Sequence, residues 1–166
     1  MEKGIIFKEE MVRAILDGRK TMTRRLDKQW LKVKKGDHLW CKETWIQVDD
    51  MNGDQQIHYR ADGENIPGPW KPSIFMPRWA SRITLEATAD ARLEKLQEIS
   101  EEDAIQEGCK YWNCGHPDCG GKHSGPRGSF SELWDSLNPK APWNDPYFKD
   151  NPEIVVLEFK KCAPKS

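Results

Sequence analysis

Apolar residues change their spacing several times along the chain, and each change marks an element. Ile5-Ile6-Phe7 is a short apolar run that predicts a strand. From Glu9 to Asp17 the spacing turns helical, with Met11 and Ile15, and Val12 and Leu16, separated by charges. Glu9 and Glu10 suit the positive end of that helix, and Gly18 suits its stop. Lys34-Lys35-Gly36-Asp37 predicts a turn. His38 to Trp45 then reads as a strand, with Leu39, Cys41, Glu43 and Trp45 on one face and Trp40, Lys42 and Thr44 on the other. Asp49 to Gln55 is a polar loop, Ile57-His58-Tyr59-Arg60 predicts another strand, and the Gly- and Pro-rich stretch Ala61 to Pro77 predicts irregular chain. Ser81 to Glu94 alternates as one strand, with Ile83, Leu85, Ala87 and Ala89 opposite Arg82, Thr84, Glu86 and Thr88.

Ser100-Glu101-Glu102-Asp103 has the form of a helix cap. A serine hydroxyl accepts from a free backbone N–H, and the acids favour the positive end. The helix runs through Ala104, Ile105 and Glu107 to Gly108. Cys109 to Gly128 reads as an excursion from the core. Ser129-Phe130-Ser131-Glu132 predicts a second capping box, opening a helix with Leu133, Trp134 and Leu137. Glu153 to Lys161 predicts a closing strand, with Ile154, Val156 and Glu158 facing opposite to Val155, Leu157 and Phe159. The sum is five or six strands and three helices. A helix does not follow each strand, so a doubly wound parallel sheet is excluded in favour of an α+β fold: a small, mostly antiparallel β-barrel with peripheral helices.

Composition narrows the function classes. The chain has 166 residues, which fits one domain, residues 1–166, with one core. A formal net charge of −1, from 26 basic and 27 acidic residues, excludes a globally basic nucleic-acid binder but not a local basic patch. No apolar run approaches the roughly 20 residues of a membrane span, and the first residues are too polar for a signal peptide. The expectation is therefore a cytoplasmic location, with the five cysteines reduced. Cys41 and Cys162 each sit alone in strands and read as core or surface thiols. Most of the eight tryptophans are expected in the core, with some free to line a pocket for a flat ligand.

The densest candidate chemistry is Gly18-Arg19-Lys20-Thr21-Met22-Thr23-Arg24-Arg25. Lys20 and Thr23 would share a face on a helical turn and point to opposite faces on a strand. Because the segment follows a helix, a turn bringing them together is the expectation. A threonine hydroxyl becomes a nucleophile when a neighbouring base takes its proton. A lysine can be that base if burial or nearby cations lower its pKa. On spacing alone, the same residues also read as a solvated helix end or a phosphate patch.

Gly18-x-Lys20-x-x-Thr23-x-Arg25 resembles the signature of the ASCH-domain family, which has a PUA-like barrel fold. The common form of that signature carries an acidic residue where Thr23 stands here. A threonine there resembles the branch of amidohydrolases that act on N4-acetylcytidine, needing no cofactor for catalysis. The resemblance implies a catalytic set of Lys20, Thr23 and a glutamate in a helical x-Ala-x-x-Glu stretch, which falls on Glu107. Lys34 to Leu39 is similar to the family's Gly-Asp turn into a strand, and Val155 to Lys160 to its closing strand. Met76 to Arg82, Ser100 to Ala104 and Leu133 to Ser136 are similar to longer phage and prophage ASCH proteins. Relative to the small amidohydrolases, the extra length falls at about 47–78 and 109–128. The chemistry implied is hydrolysis of an N4-acyl amide to cytidine and a carboxylate. Arg24 is the side-chain candidate for the oxyanion, and Glu43, Trp45 and Trp79 are candidates for binding a planar base. The alternatives are a non-catalytic RNA-binding module, with the basic turn on phosphates, and a ribonuclease of the same fold.

Cys109, Cys114, His116, Cys119 and His123 lie within fifteen residues. Thiolates and imidazoles are the usual zinc ligands, so Cys109, Cys114, Cys119 and His123 form a candidate structural zinc set. Unliganded thiols in a loop are the other reading, because the spacing is not a standard double Cys-x2-Cys knuckle.

Overall fold

The computed structural model describes residues 1–109, 125–143 and 151–163. Among these residues there are eight strands and three α-helices. In chain order they are β1 (Glu2–Ile6), α1 (Glu9–Leu16), β2 (Met22–Arg25), β3 (His38–Lys42), β4 (Trp45–Asp49), β5 (Gln55–Tyr59), β6 (Thr84–Ala87), β7 (Arg92–Lys95), α2 (Glu101–Gln106), α3 (Gly125–Leu137) and β8 (Glu153–Lys161). The fold class is α+β. One curled sheet has the order β1-β3-β6-β8-β2, with β7 also on β8, and a separate hairpin joins β4 and β5. The sheet is mostly antiparallel, as expected; β1 with β3 is the parallel pair.

β8 organises the molecule because both of its faces are covered. Val155, Leu157 and Phe159 join Ile5, Val12, Ile15, Leu39 and Leu85 in the main core. Ile154 and Val156 join Met22, Leu96, Ala104, Phe130 and Trp134 in a second core beneath α2 and α3. The unbroken apolar run Ile154-Val155-Val156-Leu157 is the sequence of a strand buried on both sides. Its facing pattern follows the alternation read from the sequence.

Other expectations need correction. The strand expected from His38 to Trp45 breaks after Lys42; Trp45 starts the hairpin, pairing with Tyr59. The single strand expected over Ser81–Glu94 is two strands along one edge of β8, with Ala87 opposite Phe159 and Arg92 opposite Val156. The residues between them turn away to serve the 34–37 turn. Asp90 accepts from the Lys35 N–H, and the Ala91 N–H donates to the Val33 carbonyl. At that turn Gly36 takes φ +85°, a conformation that favours glycine. α3 begins at Gly125 rather than after a Ser129 cap, and the Ser131 hydroxyl bonds back to the Gly128 carbonyl inside the helix. The Ser100 cap forms as expected, accepting from the Asp103 N–H at 3.0 Å. No helix among the described residues is long and apolar enough to cross a membrane.

Candidate active site

The segment after α1 is extended, not a helical turn. Gly18, with φ +75°, ends the helix. Lys20 then forms an isolated antiparallel bridge with Glu107, and Met22–Arg25 pair with Val155–Glu158 of β8. The ladder to β8 outweighs the local sequence, because it satisfies backbone groups that a turn would leave bare. The Thr21 N–H donates to the Gln106 carbonyl, so the end of α2 is tied to the start of β2. Gly108, with φ +89°, turns the chain out of α2 beside Lys20.

This bridge brings Lys20 to Glu107, as the sequence resemblance implies. The Lys20 side chain is wholly covered. Its Nζ donates to Glu107 Oε2 at 2.6 Å, to the Glu107 carbonyl at 2.8 Å and to the Met22 carbonyl at 2.8 Å. Burial pulls its pKa below the ordinary lysine range; the Glu107 carboxylate opposes that shift, and Arg25 adds to it. The other Glu107 oxygen accepts from Arg24 Nη1 at 3.2 Å.

Arg24 is buried. Nε and Nη2 donate to Glu94, and Nη2 also reaches Asp103 at 2.6 Å. Burial opposes its charge, but Glu107, Glu94 and Asp103 outweigh it and hold the guanidinium pKa above its ordinary value. Every guanidinium nitrogen is therefore engaged. Arg24 orients Glu107, and the expected oxyanion contact has no free donor behind it.

Thr23 is 4% exposed and pairs with Leu157. No hydrogen bond among the described residues joins its hydroxyl to Lys20 or Glu107. Thr23 and Glu107 meet instead at a cavity of about 240 Å³, lined also by Arg24, Arg25, Phe130 and Trp134. A second cavity of about 700 Å³ adjoins it, sharing Met11, Glu107 and Leu133 and reaching Arg13 and Arg19. Arg25 Nη2 donates to the Ile6 carbonyl at 2.7 Å, while its Nε is buried without a partner. Burial lowers the Arg25 pKa, with Glu107 pulling the other way.

The expected base-binding residues lie elsewhere. Glu43, Trp45 and Trp79 line neither cavity. Glu43 is 1% exposed and accepts a two-pronged contact from Arg82 at 3.0 Å on each oxygen. Trp45 packs with Met76 and Ala80 beneath the hairpin. Trp79 is 64% exposed and meets Trp45 edge-on at 5.8 Å. The break after Lys42 carries Glu43 and Trp45 away from β2, and Trp79 stands against Trp45 in the turn over 78–80. Sequence reasoning gave Asp103 and Glu94 no part in the site, and Arg25 only as a signature position and a nearby cation. Asp103 stands one helical turn before Glu107, a spacing that marks a shared face. Glu94 has no comparable signal. Of the zinc set, Cys114, Cys119 and His123, together with His116, lie outside the described residues. Cys109 is half-buried, its thiol pushed up to about 12 by burial and the Glu107 carboxylate.

No protein-family model matches the chain, and no curated protein matches it. Three solved structures are similar in overall shape. The hypothetical protein PH0355 matches at 13% identity and TM-score 0.49, over 98% of this chain and 100% of its own. An ASCH domain from Lactobacillus crispatus JV V101 matches at 15% identity and TM-score 0.42, over 96% of this chain and 79% of its own. Protein EF3133 from Enterococcus faecalis V583 matches at 13% identity and TM-score 0.47, over 99% of this chain and 82% of its own.

Proposed function

We propose that the chain is an ASCH-type amidohydrolase that cleaves the N4-acyl amide of N4-acetylcytidine or a related acylated cytosine. The observation that carries this reading is the buried Lys20–Glu107 contact at 2.6 Å, with Glu107 and Thr23 lining the same cavity. Thr23 Oγ attacks the acyl carbon and gives its proton to Glu107, the carboxylate on its own cavity, which hands a proton on to the neutral form of Lys20. The neutral amine keeps two N–H groups for the Met22 and Glu107 carbonyls and turns its lone pair to Glu107 Oε2. The tetrahedral oxyanion forms near Arg25, whose Nε lacks a partner. The intermediate collapses by breaking the C–N bond, and the Lys20–Glu107 pair returns the proton to the departing amine. Water, deprotonated by the same pair, hydrolyses the acyl-threonine ester, releasing the carboxylate and restoring Thr23. Phe130 and Trp134 give the cavity flat apolar walls suited to a pyrimidine. The test is incubation of the purified chain with N4-acetylcytidine. The expected result is cytidine and acetate, unaffected by a chelator. A well-folded protein that produces neither counts against the reading.

A second reading is binding of single-stranded RNA without catalysis. The basic turn does not favour it, because Arg24 is neutralised and Arg25 is tied to Ile6. Exposed Trp79 does: it is a free aromatic face beside Trp45, over which Lys71 sits at 4.5 Å. RNA that quenches tryptophan fluorescence, with a salt slope flattened by Lys71→Ala, would support it.

A further inference from the structure

We propose a zinc-class metal site on the outer face of the sheet, formed by His38, Glu86 and Cys162. The three come from distant parts of the sequence, and the sheet register brings them together. His38 of β3 is directly opposite Glu86 of β6. Cys162 follows β8 and continues its pairing with β6, its N–H donating to the Thr84 carbonyl at 2.8 Å. One imidazole nitrogen, one carboxylate oxygen and the Cys162 sulfur all lie within 4.8 Å of one another. None of the three belongs to the Lys20–Glu107 site or lines either cavity.

The donor set selects the ion. Sulfur and imidazole nitrogen suit borderline-soft ions of the zinc class and disfavour magnesium and calcium, which want oxygen. Ligand distances of about 2.0–2.3 Å around tetrahedral zinc place donor atoms roughly 3.3–3.8 Å apart. Side-chain rotation closes that gap, since His38 is exposed and Glu86 and Cys162 are half-exposed. The backbone stays fixed by the β3–β6 and β6–β8 ladders. Three protein ligands leave a fourth position for water or an external ligand. Lys160 Nζ, 3.2 Å from Glu86, holds the carboxylate in the absence of metal and competes with the ion for it. Binding therefore displaces Lys160 from Glu86.

The experiment is titration of the full, chelator-treated chain with Zn²⁺ against a chromophoric chelator, repeated with Co²⁺ to read thiolate-to-metal absorption. One ion should bind at this site, and it should protect Cys162 from alkylation. Cys162→Ser should abolish the thiolate band of that ion. His38→Ala should weaken binding by more than the roughly 10–100-fold that loss of an outer-shell partner costs. Lys160→Ala should tighten binding, which chance attachment to a surface thiol would not show. Circular dichroism checks that each variant is folded. The proposal is overturned if Cys162→Ser and His38→Ala bind as the parent does. It is equally overturned if the thiolate band survives Cys162→Ser and disappears in Cys109→Ser, because the ion then belongs to the Cys109 segment.

Discussion

Lys20 places an ammonium where its side chain touches no solvent, and that burial sets its pH behaviour. The folded state favours the neutral amine, so the pKa falls below the ordinary value near ~10.4. The neutral fraction, and with it kcat/KM, should rise through that lowered value. Lys20→Arg should remove this limb, and a pH–rate profile measures it. The sign for stability follows from linkage. Between the lowered folded value and the ordinary one, the unfolded chain binds more protons, so stability rises with pH across that window. Thr23→Ala should cut turnover roughly a thousandfold while leaving fold and ligand binding intact, and Thr23→Ser should keep part of the rate. Stopped turnover with retained calorimetric binding is the expected pair of readings. Thr21 is a poor control, since alternation along an extended segment puts it on the face of Thr23. Lys20 and Glu107 were legible only through resemblance to a family pattern. Arg24 was legible as a charge, but its role was not, because Glu94 and Asp103 reach it across the fold.

At the scale of elements, the site is a junction between β2 and the end of α2. Two local features hold that junction. Ser100 caps α2, and Ser100→Ala should cost about 1 kcal/mol in chemical denaturation. Gly108 turns the chain out of α2 at φ +89°, and a Cβ there would lie 3.0 Å from the Ala14 Cβ and 3.2 Å from the Lys20 Cβ. Gly108→Ala should therefore cost about 1–2 kcal/mol in strain and lower kcat by pressing on Lys20. Both helices with clean apolar spacing or a serine cap, α1 and α2, were legible in the sequence, as was β8. β2 was not. Its four residues, Met-Thr-Arg-Arg, show no apolar alternation, and the partner that makes them a strand lies near the other end of the sequence. The split between β6 and β7 was hidden for the same reason: its cause is the 34–37 turn, remote in sequence.

For the whole molecule, β8 is the shared wall of two cores, so truncating it is felt on both sides. Leu157 is 2% exposed in the main core and pairs with Thr23. Leu157→Ala should cost about 2–5 kcal/mol in unfolding free energy. It should also loosen the register of Thr23, the proposed nucleophile, lowering kcat more than KM. The two cores have a further consequence for how the protein fails. Thr23 is anchored to the β8 ladder, whereas Glu107 and the Phe130–Trp134 wall belong to the α2–α3 side. Local opening of that smaller unit needs less free energy than melting the sheet. It separates the carboxylate from the hydroxyl while the curled sheet stays intact. On gentle heating, then, catalysis should fade before the far-ultraviolet signal of the sheet changes. Amides of α2 and α3 should exchange with deuterium ahead of those in β8. In this protein, activity would report the attachment of two helices rather than the survival of the fold.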